Sequence, residues 1–323
     1  MNVRIASTGL YLPPRVETAA ELAPRIGVSE RWIVRRTGVA QRHVADESMS
    51  SMGAKAVLDA LGDGPLPDLM INASATVEQT IPDSAVFIQR ELMAHEPGWA
   101  GIPCYSVHAT CLSFMVGLQH AAALVAAGVY KRIVVVSSEL GTRGRNYDQP
   151  ESAALLGDGA AAVVIEPSDG SSAILGWAMH TWSEGAELTE VRGGGMKHHP
   201  NDPETTEADN LFSMDGPRIY KMARKRAKNV IEEALADAGL QKDQVDLFVP
   251  HQSSLFGVLS VTRYGFSEDK VVNVIAEQGN CVAASMPLAL ATAVKRGRVA
   301  RGDVLVLGGT GAGLSVCIGV LRW

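Results

Sequence analysis

Apolar positions along the chain follow two alternating periods. Short unbroken runs, such as Ile133-Val134-Val135-Val136, Leu247-Phe248-Val249 and Val304-Leu305-Val306-Leu307, sit close to Gly, Pro or Asp and read as buried strands. Longer stretches between them carry apolar residues every three to four positions, the spacing of a helix face. The pattern predicts strands at Arg4–Thr8, Leu69–Ala73, Pro103–Val107, Arg132–Ser137, Ala160–Glu166, Leu247–Pro250, Val271–Asn273 and Val304–Gly308. It predicts helices at Ser51–Leu61, Ala85–Leu92, Leu112–Ala127, Ile219–Ala238 and Val282–Arg296. Strands alternating with helices define an α/β protein.

The order of these elements repeats. A helix over Ala54–Leu61 precedes the strand that starts at Asp68-Leu69-Met70-Ile71, and one over Val230–Ala238 precedes Asp246-Leu247-Phe248-Val249. Thr110-Cys111 opens a helix leading into Ile133–Val136. Asn280-Cys281 opens another leading into Val304–Leu307, with Cys281 at the echo position of Cys111. Such a repeat points to duplication and to a pseudo-twofold pair of sheets with helices between them. The expected division is a half over 1–170, a connecting segment over 171–218 and a second half over 219–323. The irregular stretch near Trp182–Gly216, with Gly193-Gly194-Gly195 and His198-His199-Pro200, has the length of a lid.

Composition narrows the class. Of 323 residues 46% are hydrophobic and only 5% aromatic, so the core must be built from small and aliphatic side chains. A net charge of −6 argues against nucleic acid as a partner. The start Met1-Asn2-Val3-Arg4-Ile5 enters a strand pattern without the basic and apolar regions of a leader. No apolar run approaches the roughly 18 residues of a membrane span. Four cysteines without CxxC spacing fit neither a disulfide framework nor a zinc cluster. These features imply a cytoplasmic protein with no metal and no membrane partner.

Three residues at element junctions carry the candidate chemistry. Cys111 lies at a predicted helix N-terminus, where unpaired N–H groups and the helix dipole lower a thiol pKa; a buried packing cysteine is the alternative. His251 follows a buried strand at its C-terminal end, where catalytic groups gather in α/β sheets; a structural histidine is the alternative. Asn280 precedes a helix and is either a cap or a hydrogen-bond donor, since capping commits its oxygen. Gly308-Gly309-Thr310-Gly311-Ala312-Gly313 is a tight turn or a donor of backbone N–H to a developing oxyanion. The basic run Lys221, Arg224, Lys225, Arg226 and Lys228 is a solvated face or steers an acidic partner.

Read together and in order, the motifs resemble one family over the whole chain. They are Arg31-Trp32-Ile33-Val34-Arg35-Arg36-Thr37-Gly38, Thr110-Cys111, Leu156-Gly157-Asp158-Gly159-Ala160, Val249-Pro250-His251-Gln252, Gly279-Asn280 with Ala283-Ala284-Ser285, and the glycine-rich C-terminal strand pair ending in Leu321-Arg322-Trp323. They are similar to β-ketoacyl-acyl-carrier-protein synthase III and its thiolase-like relatives. The resemblance implies a thiolase-like five-layered αβαβα fold with two pseudo-symmetric halves, a homodimer, and acyl-CoA or acyl-carrier-protein thioesters as substrates with no bound cofactor. It implies that Cys111 carries the acyl group and that His251 and Asn280 donate to the second thioester. The N–H groups of Cys111 and Ala312 would form the oxyanion hole. Trp32 and Arg36 would hold the adenine end of coenzyme A, with Lys221 on the docking face.

Departures from the family pattern narrow this further. Ser254 and Phe256 stand where relatives often have Asn and Arg, and both are expected along the substrate path. Thr310 replaces a usual phenylalanine. These changes favour a specialised fatty-acid or polyketide-type enzyme over a housekeeping initiator. The alternatives are an acyltransferase passing the acyl group from Cys111 to an alcohol or amine, a Cys-His-Asn hydrolase, and a non-catalytic partner subunit. The intact His251–Asn280 pair favours condensation.

Overall fold

The computed structural model describes Met1–Trp323. The N-terminal half runs through β1 (Val3–Tyr11), α1 (Met49–Leu61), β2 (Leu69–Asn72), α2 (Ser84–His95), β3 (Cys104–Ser106), α3 (Ser113–Ala126), β4 (Ile133–Leu140) and β5 (Asp158–Pro167). Its sheet has the order β1-β5-β4-β2-β3; β5 is antiparallel to both neighbours, and β2 is parallel to both of its own. The C-terminal half repeats the path with β6 (Ala173–Gly185), α4 (Gly216–Asp237), β7 (Leu247–Pro250), α5 (Ser285–Lys295), β8 (Val304–Gly311) and β9 (Gly313–Arg322). Its order is β6-β9-β8-β7, with the same strand senses. A single parallel bridge, Phe248 to Val271, stands where the first half has β3. The buried Gln252 side chain takes over the missing pairing. Its Nε2 donates to Pro250 O (2.8 Å) and Val272 O (3.1 Å), and its Oε1 accepts from Val274 N (2.9 Å).

Helices α3 and α5 fill the space between the sheets. Phe114, Met115 and Leu118 of α3 and Met286, Ala289 and Leu290 of α5 share one core with Val135 and Val163 of the first sheet and Val249 and Leu307 of the second. Each large side chain buried there contributes roughly 1.5–3 kcal/mol. Helix α1 covers the outer face of the first sheet and α4 that of the second, giving five layers. No helix is long and apolar enough to cross a membrane, and no group of three or more His, Cys, Asp or Glu converges as a metal site.

The low aromatic content has a geometric use here. At Gly9 of β1 a Cβ would stand 2.4 Å from Ala56 O of α1, and at Gly176 of β6 it would stand 2.2 Å from Ala234 O of α4. Each half thus seats its outer helix directly on a glycine of its first strand.

The structure moves several expected boundaries. Strand β6 lies inside the segment expected to connect the halves, so the second half begins at Ala173 and the excursion is confined to 186–215. Neither β6 nor β9 stands out as an apolar run, because Gly176, Gly319 and polar positions such as His180, Thr181 and Ser315 interrupt them. The strand expected at Val271–Asn273 shrinks to the bridge described above. The excursion is ordered: Thr189–Glu190 pairs with Ser213–Met214, Arg192 meets Asp209 at 2.7 Å, and the Gln149 amide exchanges two hydrogen bonds with the Met214 backbone.

Gly176→Ala should lower unfolding free energy by about 2–3 kcal/mol, because a methyl would be driven into the α4 backbone. Urea denaturation measures this, and a loss near zero would mean that α4 is free to shift outward.

Candidate active site

The nucleophile candidate and its symmetry mate are held by the same local device. A 3₁₀ turn, Thr110–Leu112, leads into α3, and another, Val282–Ala284, leads into α5. Each opens on a β-branched residue with left-handed backbone, Thr110 at φ 52° and Val282 at φ 48°. Such a conformation costs on the order of 1–3 kcal/mol and is kept only where surrounding packing imposes it. The two turns pack against each other at the centre of the molecule. Aligning them pairs Cys111 with Ala283, which corrects the expected echo. Cys281 lies two positions earlier, is buried, and donates its S–H to Gln278 O (3.5 Å).

Burial dominates the electrostatics at Cys111. Desolvation pushes its thiol up to about 11, the Glu139 carboxylate adds to the rise, and the backbone N–H groups of Ala312 and Cys111 face the sulfur and pull the other way. The thiolate-favouring shift expected from the helix N-terminus is therefore outweighed. The same two N–H groups are those expected to form the oxyanion hole, and they face the Cys111 sulfur.

His251 continues β7, its N–H donating to Gly308 O (2.9 Å). Burial lowers its pKa to about 4, and its Nδ1 has no hydrogen-bond partner. The imidazole is thus neutral above roughly pH 5 and can donate from one nitrogen. Asn280 is a donor and not the helix cap, since the N-cap positions of the turn and of α5 fall at Cys281 and Ala284. Its Oδ1 accepts from Val282 N (2.9 Å) and Ser285 Oγ (3.2 Å), which leaves Nδ2 to donate, here to Ser253 O (3.3 Å). The oxygen's commitment orients the amide, so the group presented beside the His251 loop is an N–H and not a carbonyl.

Sequence reasoning missed Glu139, the buried residue near the end of β4. Its carboxylate accepts from Ala75 N and from Thr76 Oγ1 (2.8 Å), and the Ala283 N–H faces it from the second half. Burial raises its pKa to about 7 against these donors. A lone Glu ending an apolar strand was the available signal. Gln252 was likewise readable only as the neighbour of His251.

A cleft of about 1040 Å³ leads to His251, Gly308, Gly309 and Thr310. Its walls include Leu188, Ser213 and Met214 of the excursion and Ile219, Tyr220 and Arg224 of α4. Of the residues expected along the substrate path, Arg36, Ser254 and Phe256 line it, with Phe256 56% exposed. Ser254 also caps the helix Leu255–Leu259. Trp32 and Lys221 do not line it. Trp32 packs on a small cluster with Leu22 and Ile33, and Lys221 is exposed on α4. Arg218, Arg224 and Arg263 supply the cations along the cleft in place of Lys221. Arg226 and Lys228 are turned to Glu184 and Glu232, so the basic run is only partly a free face. Cys111 and Asn280 are not among the lining residues.

The geometry gives a half-buried thiol facing two backbone N–H groups, and two neutral side-chain donors, His251 and Asn280, in the second half. Comparison with known proteins gives the class directly. Residues 105–183 match the model for 3-oxoacyl-[acyl-carrier-protein] synthase III, and residues 235–323 match the model for its C-terminal part. The chain is 30% identical to the β-ketoacyl-[acyl-carrier-protein] synthase III of Rickettsia bellii, with 100% of both chains covered. It matches the structure of the Aquifex aeolicus 3-oxoacyl-[acyl-carrier-protein] synthase III with a TM-score of 0.89 and 29% identity, over 99% of this chain and 100% of that one. It matches the priming β-ketosynthase of the R1128 polyketide pathway with a TM-score of 0.88 and 30% identity, over 99% and 95%. The protein belongs to the β-ketoacyl-[acyl-carrier-protein] synthase III family and has its thiolase-like fold.

Because burial raises the Cys111 thiol, its thiolate fraction at neutral pH is small. Alkylation of Cys111 by iodoacetamide should speed up close to tenfold per pH unit between pH 7 and 9. A plateau in that range would mean that the thiolate is held by donors stronger than the two backbone N–H groups.

Proposed function

We propose that this protein is a condensing enzyme that forms a carbon–carbon bond between an acyl group held on Cys111 and a second thioester. In the first step the Cys111 sulfur attacks the acyl thioester carbonyl. The carbonyl oxygen, negative in the intermediate, receives the N–H groups of Cys111 and Ala312. The old C–S bond breaks, and the departing thiolate takes the cysteine proton. One thioester replaces another, so the step is close to neutral in free energy and divides the reaction in two. In the second step a malonyl or β-ketoacyl thioester supplies a carbon nucleophile. With malonyl, the bond to the carboxylate breaks, CO₂ leaves, and the electron pair enters an enolate whose oxygen is held by His251 and Asn280. The enolate carbon attacks the acyl carbonyl, and Cys111 leaves as a thiolate that recovers a proton.

The observation that carries this reading is the state of the two donors. Asn280 has its oxygen committed and presents only N–H, and His251 is neutral with a pKa near 4. Two neutral donors suit an enolate oxygen. Neither donor is the base that acyl transfer to an alcohol or amine needs; Glu139, raised to about 7, is the group near neutrality, and it accepts from Ala75 N–H and Thr76 Oγ1 and faces the Ala283 N–H. The cleft through Arg36, Arg224 and Arg263 suits the phosphates and pantetheine of coenzyme A or a carrier protein, with no further cofactor. The priming ketosynthase relative and the Ser254, Phe256 and Thr310 departures support a specialised fatty-acid or polyketide-type role. A homodimer is part of the reading, supported by two exposed apolar side chains, Val77 (62% exposed) and Ile81 (81% exposed), in the segment before α2.

Intact mass after incubation with acyl-CoAs, with and without malonyl-CoA, tests the reading, with Cys111→Ser as control. An adduct that requires Cys111 and is discharged by malonyl-CoA as a β-keto product is expected. An adduct discharged only by alcohols or amines would replace condensation with acyl transfer. Asn280→Ala should load Cys111 normally while condensation falls about 10²–10³-fold; loss of loading would remove Asn280 from the second step.

A further inference from the structure

Behind Asn280 lies a cluster of charges that takes no part in the reaction as described. Arg42 is 0% exposed, Arg145 3% and Glu17 5%. Arg145 Nη1 donates to Glu17 Oε2 at 2.7 Å, Arg42 Nη1 lies 3.8 Å from the same oxygen, and the half-exposed Arg25 donates to Oε1 at 3.0 Å. Two enclosed guanidinium groups therefore share one carboxylate. Arg42 Nε and Nη1 and Arg145 Nε have no hydrogen-bond partner. Buried ions compensated this incompletely destabilise a fold relative to apolar packing, so stability alone gives no reason for them.

Their remaining hydrogen bonds give one. Arg42 Nη2 donates to Ala154 O at 2.9 Å and Arg145 Nη2 to Leu156 O at 3.0 Å. The residue between them, Leu155, accepts the Asn280 N–H at 2.8 Å, and Gly157 N–H donates to Asn280 O at 3.0 Å. Ala154 and Leu155 close a helical turn and Leu156 opens a one-residue parallel bridge to Asn280. The carbonyls of Ala154 and Leu156 are thus held by two cations, while Leu155 O and Gly157 N–H hold the Asn280 backbone. The Arg42 stem also packs beside Gly157 and Gly279, the residue before Asn280. From that backbone the orientation passes to the side chain through the two bonds on Oδ1.

We propose that Arg42 and Arg145, coupled through Glu17, are positioning residues for Asn280, fixing the backbone from which its amide donates to the second thioester. The proposal rests on the role given to Asn280 above. A misplacement of about 1 Å at a donor costs up to roughly 10²-fold in rate, so a clamp of this kind acts on the second step and leaves the first alone.

The test uses Arg42→Met and Arg42→Lys, with Arg25→Ala as a surface control on the same carboxylate. For each, acyl loading of Cys111 is counted by intact mass, and condensation is measured per loaded site. Arg42→Met should load fully and condense about 10–100-fold more slowly; Arg42→Lys, which keeps the charge and can reach Ala154 O, should recover part of the loss; and Arg25→Ala should change neither. Hydrogen exchange supplies a readout independent of catalysis. In Arg42→Met, peptides spanning 278–284 should lose protection while those spanning 108–114 keep it. Equal loss in both peptides, or loading and condensation falling together, would overturn the proposal and make the network a general brace. Should Arg42→Met fail to fold, Arg42→Lys decides by the same ratio and the same exchange pattern. Failure of the wild-type protein to load any acyl group would instead overturn the condensing role, and the exchange pattern would still decide the clamp.

Discussion

The contact between two helix-leading turns in the middle layer governs the rest of this structure. Thr110–Leu112 and Val282–Ala284 each begin with a left-handed β-branched residue, a conformation that neither would hold in isolation. They hold it because each turn is wedged against the other and each is continuous with a helix enclosed by both sheets. The five layers supply the pressure that keeps the strain in place. Cys111, the Ala312 turn and the Asn280 loop all lie beside that contact.

Burial is the second organising influence, and it acts in one direction on every ionisable group near the centre. It raises Cys111 and Glu139 and lowers His251, in each case favouring the neutral form. Glu139 meets this with donors from Ala75 and Thr76, and the enclosed Arg42 and Arg145 meet it with the single carboxylate of Glu17. Around Cys111 the fixed groups are backbone N–H donors, which need little reorganisation to meet a negative charge.

The parts of this architecture that were legible in the sequence are those written in apolar periodicity. The buried strands Leu69–Asn72, Ile133–Leu140 and Leu247–Pro250 read clearly because they are enclosed on both faces. The duplication read through as well, and so did Cys111, His251 and Asn280 as residues at strand and helix ends. Strand β6 did not, since a glycine and surface polar residues break its pattern, and the half boundary was misplaced with it; β9 was legible only through the family resemblance, as the second of the C-terminal strand pair. The register of the repeat slipped by two because a visible Cys281 drew the alignment away from the turn geometry, which no side chain advertises. Glu139 and Gln252 left only the faint signals noted above, and the Glu17–Arg42–Arg145 cluster left none, for another reason. Their contacts are long-range hydrogen bonds and ion pairs, and a single sequence does not say which distant groups meet.

The paired turns also show how one local scaffold takes different surroundings in the two halves. Ala283 occupies the position of Cys111, with the same backbone and the same helix behind it. Its N–H, however, faces the Glu139 carboxyl, whereas the N–H groups of Cys111 and Ala312 face the Cys111 sulfur. A thiol introduced at Ala283 would thus stand beside a buried carboxyl, where the one at Cys111 stands before two N–H donors. The repeat makes the two turns alike in backbone, and one carboxyl of the first half makes their surroundings unlike.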